Sequence, residues 1–311
     1  MKIVKLLFLN RNIILILGVV VGLVWGKGAV WTGPLIMPVL ALVMTVATMG
    51  IDSSSLHSVR GILGPACIGM VMNYLVLSGV IILLSRYLIT DSNLRAGFVL
   101  IAAVPPAVAV IPFSFLLRGN NTFSVLGTIG GYLGALVIMP LMAIAFFGTS
   151  FVSPLKLIII MTELILLPLA AGRVLHWTGV EKRLDYLKGP ITNWGFSLIT
   201  YTIVGLNREM FLYDPLALVP TALIVVASTF MLGLIIEIVC KKILRIPAET
   251  VTSLVLLGTL KNYGVAGGLA LTLFSKEVAS PSTVSSIFMI VYIIWLEWEL
   301  HRGKVRVKKG V

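Results

Sequence analysis

The chain has 311 residues, of which 59% are hydrophobic and only 12% are charged, and its mean hydropathy is +1.07. This composition excludes a soluble globular domain and predicts an integral membrane protein that crosses the lipid bilayer several times. The net charge of +12 is dispersed over short connections between apolar runs, and no zinc-ligand spacing or aromatic-basic platform accompanies it. We therefore expect no nucleic-acid partner.

Ten apolar runs are long enough to cross about 30 Å of hydrocarbon when short and broken runs are included. The first run is kept as a span rather than a signal peptide because no small-residue cleavage pattern follows it. In chain order the runs cover residues 13–25, 35–49, 64–85, 94–117, 122–147, 155–175, 194–206, 216–239, 250–274 and 284–300. An all-α membrane protein with ten transmembrane helices is the predicted fold class.

The basic residues predict the orientation of these spans. Of the 24 lysines and arginines, 17 lie in the amino terminus, the even-numbered connections and the carboxyl-terminal tail, whereas six lie in the odd-numbered connections. Lysine and arginine concentrate on the cytoplasmic side of a membrane. We therefore expect a multi-pass protein of the inner or plasma membrane with both termini in the cytoplasm.

Two of the predicted spans are interrupted. The fourth contains Pro105, Pro106 and Pro112, and each proline removes a backbone donor that a continuous helix needs, so the helix should break near Pro105 and Pro106. The ninth contains Lys261 and Asn262 among several glycines. A charge near the bilayer centre costs about 2.5 kcal/mol or more, and such a residue usually belongs to a transport or ligand site.

Each broken span is followed by a polar turn and one further long span. Residues 1–148 and 149–311 consequently look like two five-helix halves, which insert in opposite orientations because each half has an odd number of spans. Secondary transporters use this inverted repeat, with the binding site near the midplane where the discontinuous helices meet. A structural bundle of kinked helices is the alternative.

Several short motifs, in this order and spacing, resemble the bile acid:sodium symporter family. They are Met49-Gly50-Ile51, the proline-rich break that leads to Leu117-Arg118-Gly119-Asn120, Met139-Pro140-Leu141, and Lys261-Asn262-Tyr263-Gly264-Val265-Ala266. The resemblance implies that spans four and nine cross in a core domain with spans three, five, eight and ten. It also implies a panel domain of spans one, two, six and seven, and a carboxylate or bile-acid-like organic anion bound between the two domains.

The sequence departs from sodium-coupled members of that family at the ion site. Those members carry hydroxyl and amide groups in the fourth-span break, whereas Pro105 to Val110 offers no side-chain oxygen here. Leu257 stands at the position of their carboxylate and Lys261 at that of their glutamine. The resemblance therefore does not extend sodium coupling to this chain. The alternative is a sodium-coupled symporter that uses the remaining oxygens of Ser124 and Thr128 together with backbone carbonyls.

We expect the substrate site at the crossing of the two breaks. The ammonium of Lys261 is expected to be neutral, paired with a carboxylate such as Glu163, or exposed to cavity water and available to an anion. A half-helix that begins near Ala107 would add the positive end of its dipole. The predicted substrate-binding residues are Lys261, Asn262, Ala107, Val108, Tyr132, Asn73 and Glu163, of which the last three suit an interhelical structural role equally well.

Other classes of protein fit the sequence less well. A membrane enzyme would need clustered metal-binding carboxylates or a nucleophile paired with histidine, but His57, His176 and His301 all stand at loop positions. Cys67 and Cys240 predict neither a disulfide nor a metal site. We therefore expect no enzymatic activity and no cofactor. A passive channel or facilitator is the remaining alternative, because composition does not distinguish it from a carrier.

Overall fold

The structure is a computed structural model that describes residues 10–49, 59–148, 155, 159, 162–213 and 215–308. Within these ranges the regular structure is helical, apart from one isolated antiparallel bridge between Pro106 and Lys261. Gly50, Ile51 and His57, which were singled out in the sequence, lie outside the described ranges.

The described part of the first half contains five main helical units, and the short helix Ala29–Thr32 precedes the second of them. Helix α3 is continuous through a π-helical segment, Val71–Leu77, and α4 is split into two halves. The units are α1 (Arg11–Val24), α2 (Ile36–Met49), α3 (Val59–Met70, Val71–Leu77 and Ser78–Leu88), α4a (Ser92–Ala103), α4b (Val110–Leu116) and α5 (Asn121–Phe147).

The second half follows a similar order, and its ninth unit is the split one. Its units are α6 (Thr162–Leu166 and Leu167–Trp177), α7 (Val180–Leu206), α8 (Val219–Val226, Ala227–Met231, Leu232–Ile238 and Val239–Ile243), α9a (Ala248–Leu257), α9b (Tyr263–Leu273) and α10 (Lys276–Lys308). The interruptions predicted in the fourth and ninth spans are thus both present.

Five helices in the described part of the chain are long and apolar enough to cross a membrane, judged by length and composition. They are Gly26–Val46, Gly61–Leu88, Asn121–Phe147, Val219–Ile243 and Lys276–Glu299, and shorter apolar helices include α4a, α9a and α9b. Many large apolar side chains are exposed, among them Leu75 and Val137. This surface is suited to lipid, and the protein is a membrane protein.

The seventh unit begins earlier than the sequence predicts. The apolar run was placed at residues 194–206, but α7 starts at Val180. Hydropathy detects only the apolar part of a helix, whereas the charged first turns of α7 are stabilised by the ion pairs of Lys188 with Glu181 and Asp185. The last predicted run, 284–300, is likewise the apolar middle of the longer α10.

The helices pack in two groups. Helices α1, α2, α6 and α7 make most of their contacts with one another, and α3, α4, α5, α8, α9 and α10 form the second group. Glycine allows the closest approach in the first group, because a Cβ at Gly18 of α1 would lie 2.6 Å from the carbonyl oxygen of Ser197 in α7. The hydroxyl of Ser197 also donates to the carbonyl of Ile14. These contacts hold α1 and α7 together as a unit.

Candidate functional site

The two helix breaks lie side by side and satisfy each other's backbone. The N–H of Asn262 donates to the carbonyl of Pro105 at 3.0 Å, and the N–H of Ala107 donates to the carbonyl of Leu260 at 3.2 Å. Buried backbone groups need hydrogen-bond partners, and the hydrocarbon of a bilayer supplies none. Each break therefore provides the partners that the other lacks.

The break in α4 is caused by missing donors. Helix α4a ends at Ala103, and Pro105 and Pro106 cannot supply the N–H groups that would continue it. Pro112 does not break the chain again, because it lies in the first turn of α4b, where a free N–H is not required. Helix α4b begins at Val110, three residues later than expected, and has only seven residues.

The break in α9 contains no proline. Helix α9a ends at Leu257, and the chain crosses α4 as far as Asn262 before α9b begins at Tyr263. The side-chain oxygen of Asn262 accepts a hydrogen bond from the N–H of Val265 at 3.2 Å and so caps α9b. Side chains of the break, rather than absent donors, determine its geometry.

Lys261 is fully buried within the second group of helices. Its Nζ donates to Asn73 Oδ1 at 2.6 Å and to the carbonyl oxygens of Ala102 and Val104, each at 2.9 Å. It also lies 4.4 Å from the centre of the Tyr74 ring. The two carbonyls end α4a, where the helix dipole is negative and favours a cation.

The expectation that Lys261 faces cavity water or pairs with Glu163 is wrong. Its ammonium is enclosed by neutral oxygens, and none of the ion pairs among the described residues involves it. Glu163 lies in the π-helical segment of α6 and is exposed. The sequence showed that Lys261 is at membrane depth but not that α3 and α4a would supply oxygen acceptors for it.

A cavity of about 830 Å³ lies between the two groups of helices, above the crossing of the breaks. Of the predicted site residues, Ala107, Val108, Lys261 and Asn262 belong to its lining. The wall also contains aromatic and polar side chains from both groups, including Phe113, Phe196, Thr192, Asn193, Thr200 and Ser286. A cavity with this mixed wall suits a molecule that has both an apolar and a polar part.

Asn262 belongs to the cavity lining and carries a buried hydrogen-bond donor. The residue is only 3% exposed, and its Nδ2 has no hydrogen-bond partner among the residues that the structure describes. An unpaired buried donor costs about 1–3 kcal/mol, so such a group usually has a partner at some stage of its function. The amide also stands at the amino end of α9b, where the dipole and the first backbone N–H groups favour an anion.

The cavity mouth lies where α1 and α7 begin, and charged residues surround it. Arg11 of α1 pairs with Glu297 of α10 at 2.5 Å and stacks on the Phe113 ring at 4.5 Å. Lys188 of α7 contacts Glu181 at 2.6 Å and Asp185 at 3.0 Å. Each basic side chain at the entrance is thus paired with at least one carboxylate, so these groups bring no net positive charge to the mouth.

The pKa values of the Lys188 cluster are shifted in opposite directions. Burial alone would raise the pKa of Glu181, but hydrogen bonds from Lys188 and His176 outweigh it and the net shift is downward. Burial likewise works against the charge of Lys188, but Glu181 and Asp185 raise its pKa. Both groups are therefore charged at neutral pH.

Other predicted site residues lie outside the cavity lining. Tyr132 is buried, and its hydroxyl contacts the sulfur of Met44 at 3.7 Å. Asn73 is buried beneath the crossing and serves Lys261. Ser124 and Thr128 are buried, and their hydroxyls have no hydrogen-bond partner in the described part of the chain. The side chain of Leu257 packs against Gly127, between these two residues of α5.

The residues at the mouth of the cavity were not predicted as site residues from the sequence. Arg11 and Lys188 were assigned to loops, because a basic residue next to an apolar run indicates topology first. The available signal was the pattern of opposite charges at residues 181, 185 and 188, which is typical of a helix. Phe113 had no signal, because one aromatic residue in an apolar run is ordinary.

Comparison with known proteins identifies the family. The family model described as the sodium bile acid symporter family matches residues 37–214, which is more than half of the chain. The match includes the α4 break and α5 and ends before Lys261. A search of curated proteins finds no significant match. The order of helices, the α4 break and this match agree, and the chain therefore belongs to the sodium bile acid symporter family, a family of transporters.

Proposed function

We propose that this protein is a secondary transporter that carries an organic anion, such as a carboxylate of bile-acid type, by alternating access. The substrate would bind in the cavity between the two helix groups. The anionic group would lie near Asn262 and the amino end of α9b, and the apolar body would lie along Phe113 and Phe196. The single observation that carries this proposal is the buried Nδ2 of Asn262, which has no partner at the crossing.

The packing and the charge distribution support an alternating-access cycle. Helices α1, α2, α6 and α7 would form the panel domain, the remaining helices would form the core domain, and the two halves of the chain would be inverted repeats. The cavity mouth lies at the ends of α1 and α7 that the basic residues assign to the cytoplasm. The structure would therefore represent a state that is open to the cytoplasm.

We also propose that anion binding does not require sodium. A sodium ion prefers several hard oxygen ligands, and an apolar side chain, Leu257, packs on α5 at Gly127, the residue before Thr128. The ammonium of Lys261 already places a positive charge at the crossing. Because the site already contains this cation, a sodium ion would add little to its affinity for an anion.

One observation favours the alternative of a sodium-coupled symporter. The hydroxyls of Ser124 and Thr128 are buried without partners, and an ion would satisfy both. Under this alternative, Ser124→Ala and Thr128→Val would weaken anion binding in sodium. Under our proposal, neither change affects binding, because no ion is held there.

A thermal-shift screen of organic acids on the purified protein would test the proposed site. An acid that stabilises the protein should bind at least about tenfold more weakly to Asn262→Ala, which corresponds to about 1.4 kcal/mol. Asn120→Ala is the matched control, because Asn120 caps α5 in the same way, through the N–H of Phe123, and lies outside the cavity lining. Equal weakening in both variants would show that the effect is structural and would overturn the proposed site.

A passive channel is distinguished by counterflow. In proteoliposomes loaded with the stabilising acid, a carrier accelerates uptake of the labelled acid, whereas a pore does not. Trans-acceleration is the expected result, and its absence would contradict alternating access.

A further inference from the structure

The surroundings of Lys261 match the geometry of a cation rather than that of an amine. An ammonium group has three N–H donors and no acceptor, whereas a neutral amine has two donors and a lone pair. Nζ has three oxygen neighbours at 2.6–2.9 Å. A lone pair directed at any of these oxygens would be repelled, so the three acceptors favour the ammonium form over the neutral amine.

The amide of Asn73 is held in one orientation. Its Nδ2 donates to the carbonyls of Leu257 at 3.1 Å and Leu260 at 3.4 Å, so its Oδ1 must face Lys261. The hydroxyl of Tyr74 donates to the carbonyl of Gly131 at 2.9 Å, which fixes the ring face toward Nζ. The groups around the ammonium are therefore positioned by neighbours other than Lys261.

This arrangement has the chemistry of an ammonium receptor. Two carbonyls at the negative end of α4a, one amide oxygen and an aromatic face surround the cation, and no carboxylate takes part. Aromatic faces and neutral oxygens are characteristic of sites for organic ammonium ions. We propose that Asn73, Ala102, Val104 and Tyr74 form a binding cage for a primary ammonium ion, and that Lys261 is its covalently attached occupant. This inference goes beyond the proposed transport function and does not depend on it.

The cage makes a prediction that needs no transported substrate. Lys261→Ala removes three methylene groups and the ammonium, and n-propylammonium has the same atoms. Lys261 belongs to the cavity lining, so the vacated space opens to the cavity. The free amine should enter the variant and replace the lost side chain.

The experiment measures the melting temperature of the purified full-length protein in choline chloride, sodium chloride and n-propylammonium chloride at equal ionic strength. Lys261→Ala should melt at least about 5 °C below the wild type in choline chloride, and n-propylammonium should restore at least about half of this loss with a saturable dose dependence. The wild type and Lys276→Ala, an exposed lysine, should not respond.

Lys261→Met controls for volume, because methionine fills the space without a charge and should be destabilised and unresponsive. The proposed cage would be overturned if Lys261→Ala melted at the same temperature in n-propylammonium chloride as in choline chloride. Equal rescue by sodium would also contradict it, since sodium supplies no N–H donors to the three oxygens.

A second variant covers the case in which Lys261→Ala cannot be purified in any of the three salts. Lys261→Gln nearly preserves the length but has no charge and only two donors. A melting temperature at least about 5 °C below that of the wild type would support the cage. A wild-type melting temperature would show that no cation is needed there.

Discussion

The two helix breaks lie side by side, but their causes differ. In α4 the break follows from missing donors, since Pro105 and Pro106 cannot continue α4a. In α9 every residue of the break has a backbone donor. The side chain of Asn262 caps α9b, and that of Lys261 donates to Asn73 and to the last carbonyls of α4a. The first break is set by the backbone and the second by side chains.

Because of this difference, the two breaks contribute different chemical groups to the crossing. The α4 break presents its carbonyls, at Ala102 and Val104, and is apolar on its cavity side. The α9 break provides the amino group of Lys261, which donates to those carbonyls, and the unpaired amide of Asn262, a residue of the cavity lining. We therefore expect mutations in the α9 break to change either anion binding or stability, depending on the residue. Mutations near the α4 break should change mainly the packing of the helices.

The largest effect on stability is expected when Lys261 loses its side-chain acceptor. Asn73→Leu removes one oxygen from the ammonium and the donors to Leu257 and Leu260, and breaking a buried charged contact costs about 3–5 kcal/mol. A thermal melt would measure the loss. Tyr74→Phe is the control, because it keeps the ring face and loses only the bond to Gly131, worth about 1 kcal/mol. Equal losses of stability in both variants would show that the contact of Asn73 with the ammonium of Lys261 contributes no more than an ordinary hydrogen bond.

The protein should lose stability when a side chain is enlarged next to the α4 break. A Cβ at Gly131 of α5 would lie 2.5 Å from Pro106 Cδ, and the proline ring cannot move away easily. Gly131→Ala should therefore destabilise the protein by about 1–3 kcal/mol. Gly79→Ala, where a Cβ meets nothing within 4 Å, should be neutral or stabilising by up to about 1 kcal/mol. The same unfolding measurement on both variants would decide, and a neutral Gly131→Ala would show that the contact is unimportant.

The smallest effect is expected outside both breaks, in the Glu181 cluster. Glu181→Gln should cost less than about 1 kcal/mol, because ion pairs near solvent contribute little. The pKa of Glu181 is lowered in the folded protein, so its contribution is present above the unfolded pKa of about 4.3 and is lost as the pH falls through the folded value.

The pKa of Lys188 is raised, so its contribution is present below the unfolded pKa of about 10.4 and is lost as the pH rises through the folded value. Melting curves of the wild type and Glu181→Gln should consequently differ most near neutral pH and converge toward pH values near 3. A constant difference over this range would contradict the electrostatic origin.

The sequence predicted those parts of the fold that depend on local rules. Prolines break a helix wherever they occur, so the α4 interruption was visible at Pro105 and Pro106. The position of α9b was indicated by Asn262 and the adjacent glycines. The family resemblance agreed with both.

The partners of Lys261 could not be predicted, because they come from residues far away in the chain. Asn73, which binds Lys261, lies in the π-helical segment of α3, and the sequence of Val71–Leu77 gives no sign of that segment. The acceptors Ala102 and Val104 are backbone carbonyls, for which residue type carries no signal. Arg11 at the cavity mouth was hidden for a similar reason, since its partners Phe113 and Glu297 are distant in sequence.

The proposed function requires that the crossing binds an anion without sodium, because Lys261 supplies the cation there. The most direct measurement is the dissociation constant of the stabilising organic acid, determined for the wild type in sodium chloride and in choline chloride. The account predicts that the two values agree within about threefold, or about 0.6 kcal/mol. A steep, saturable dependence of the affinity on sodium would contradict it.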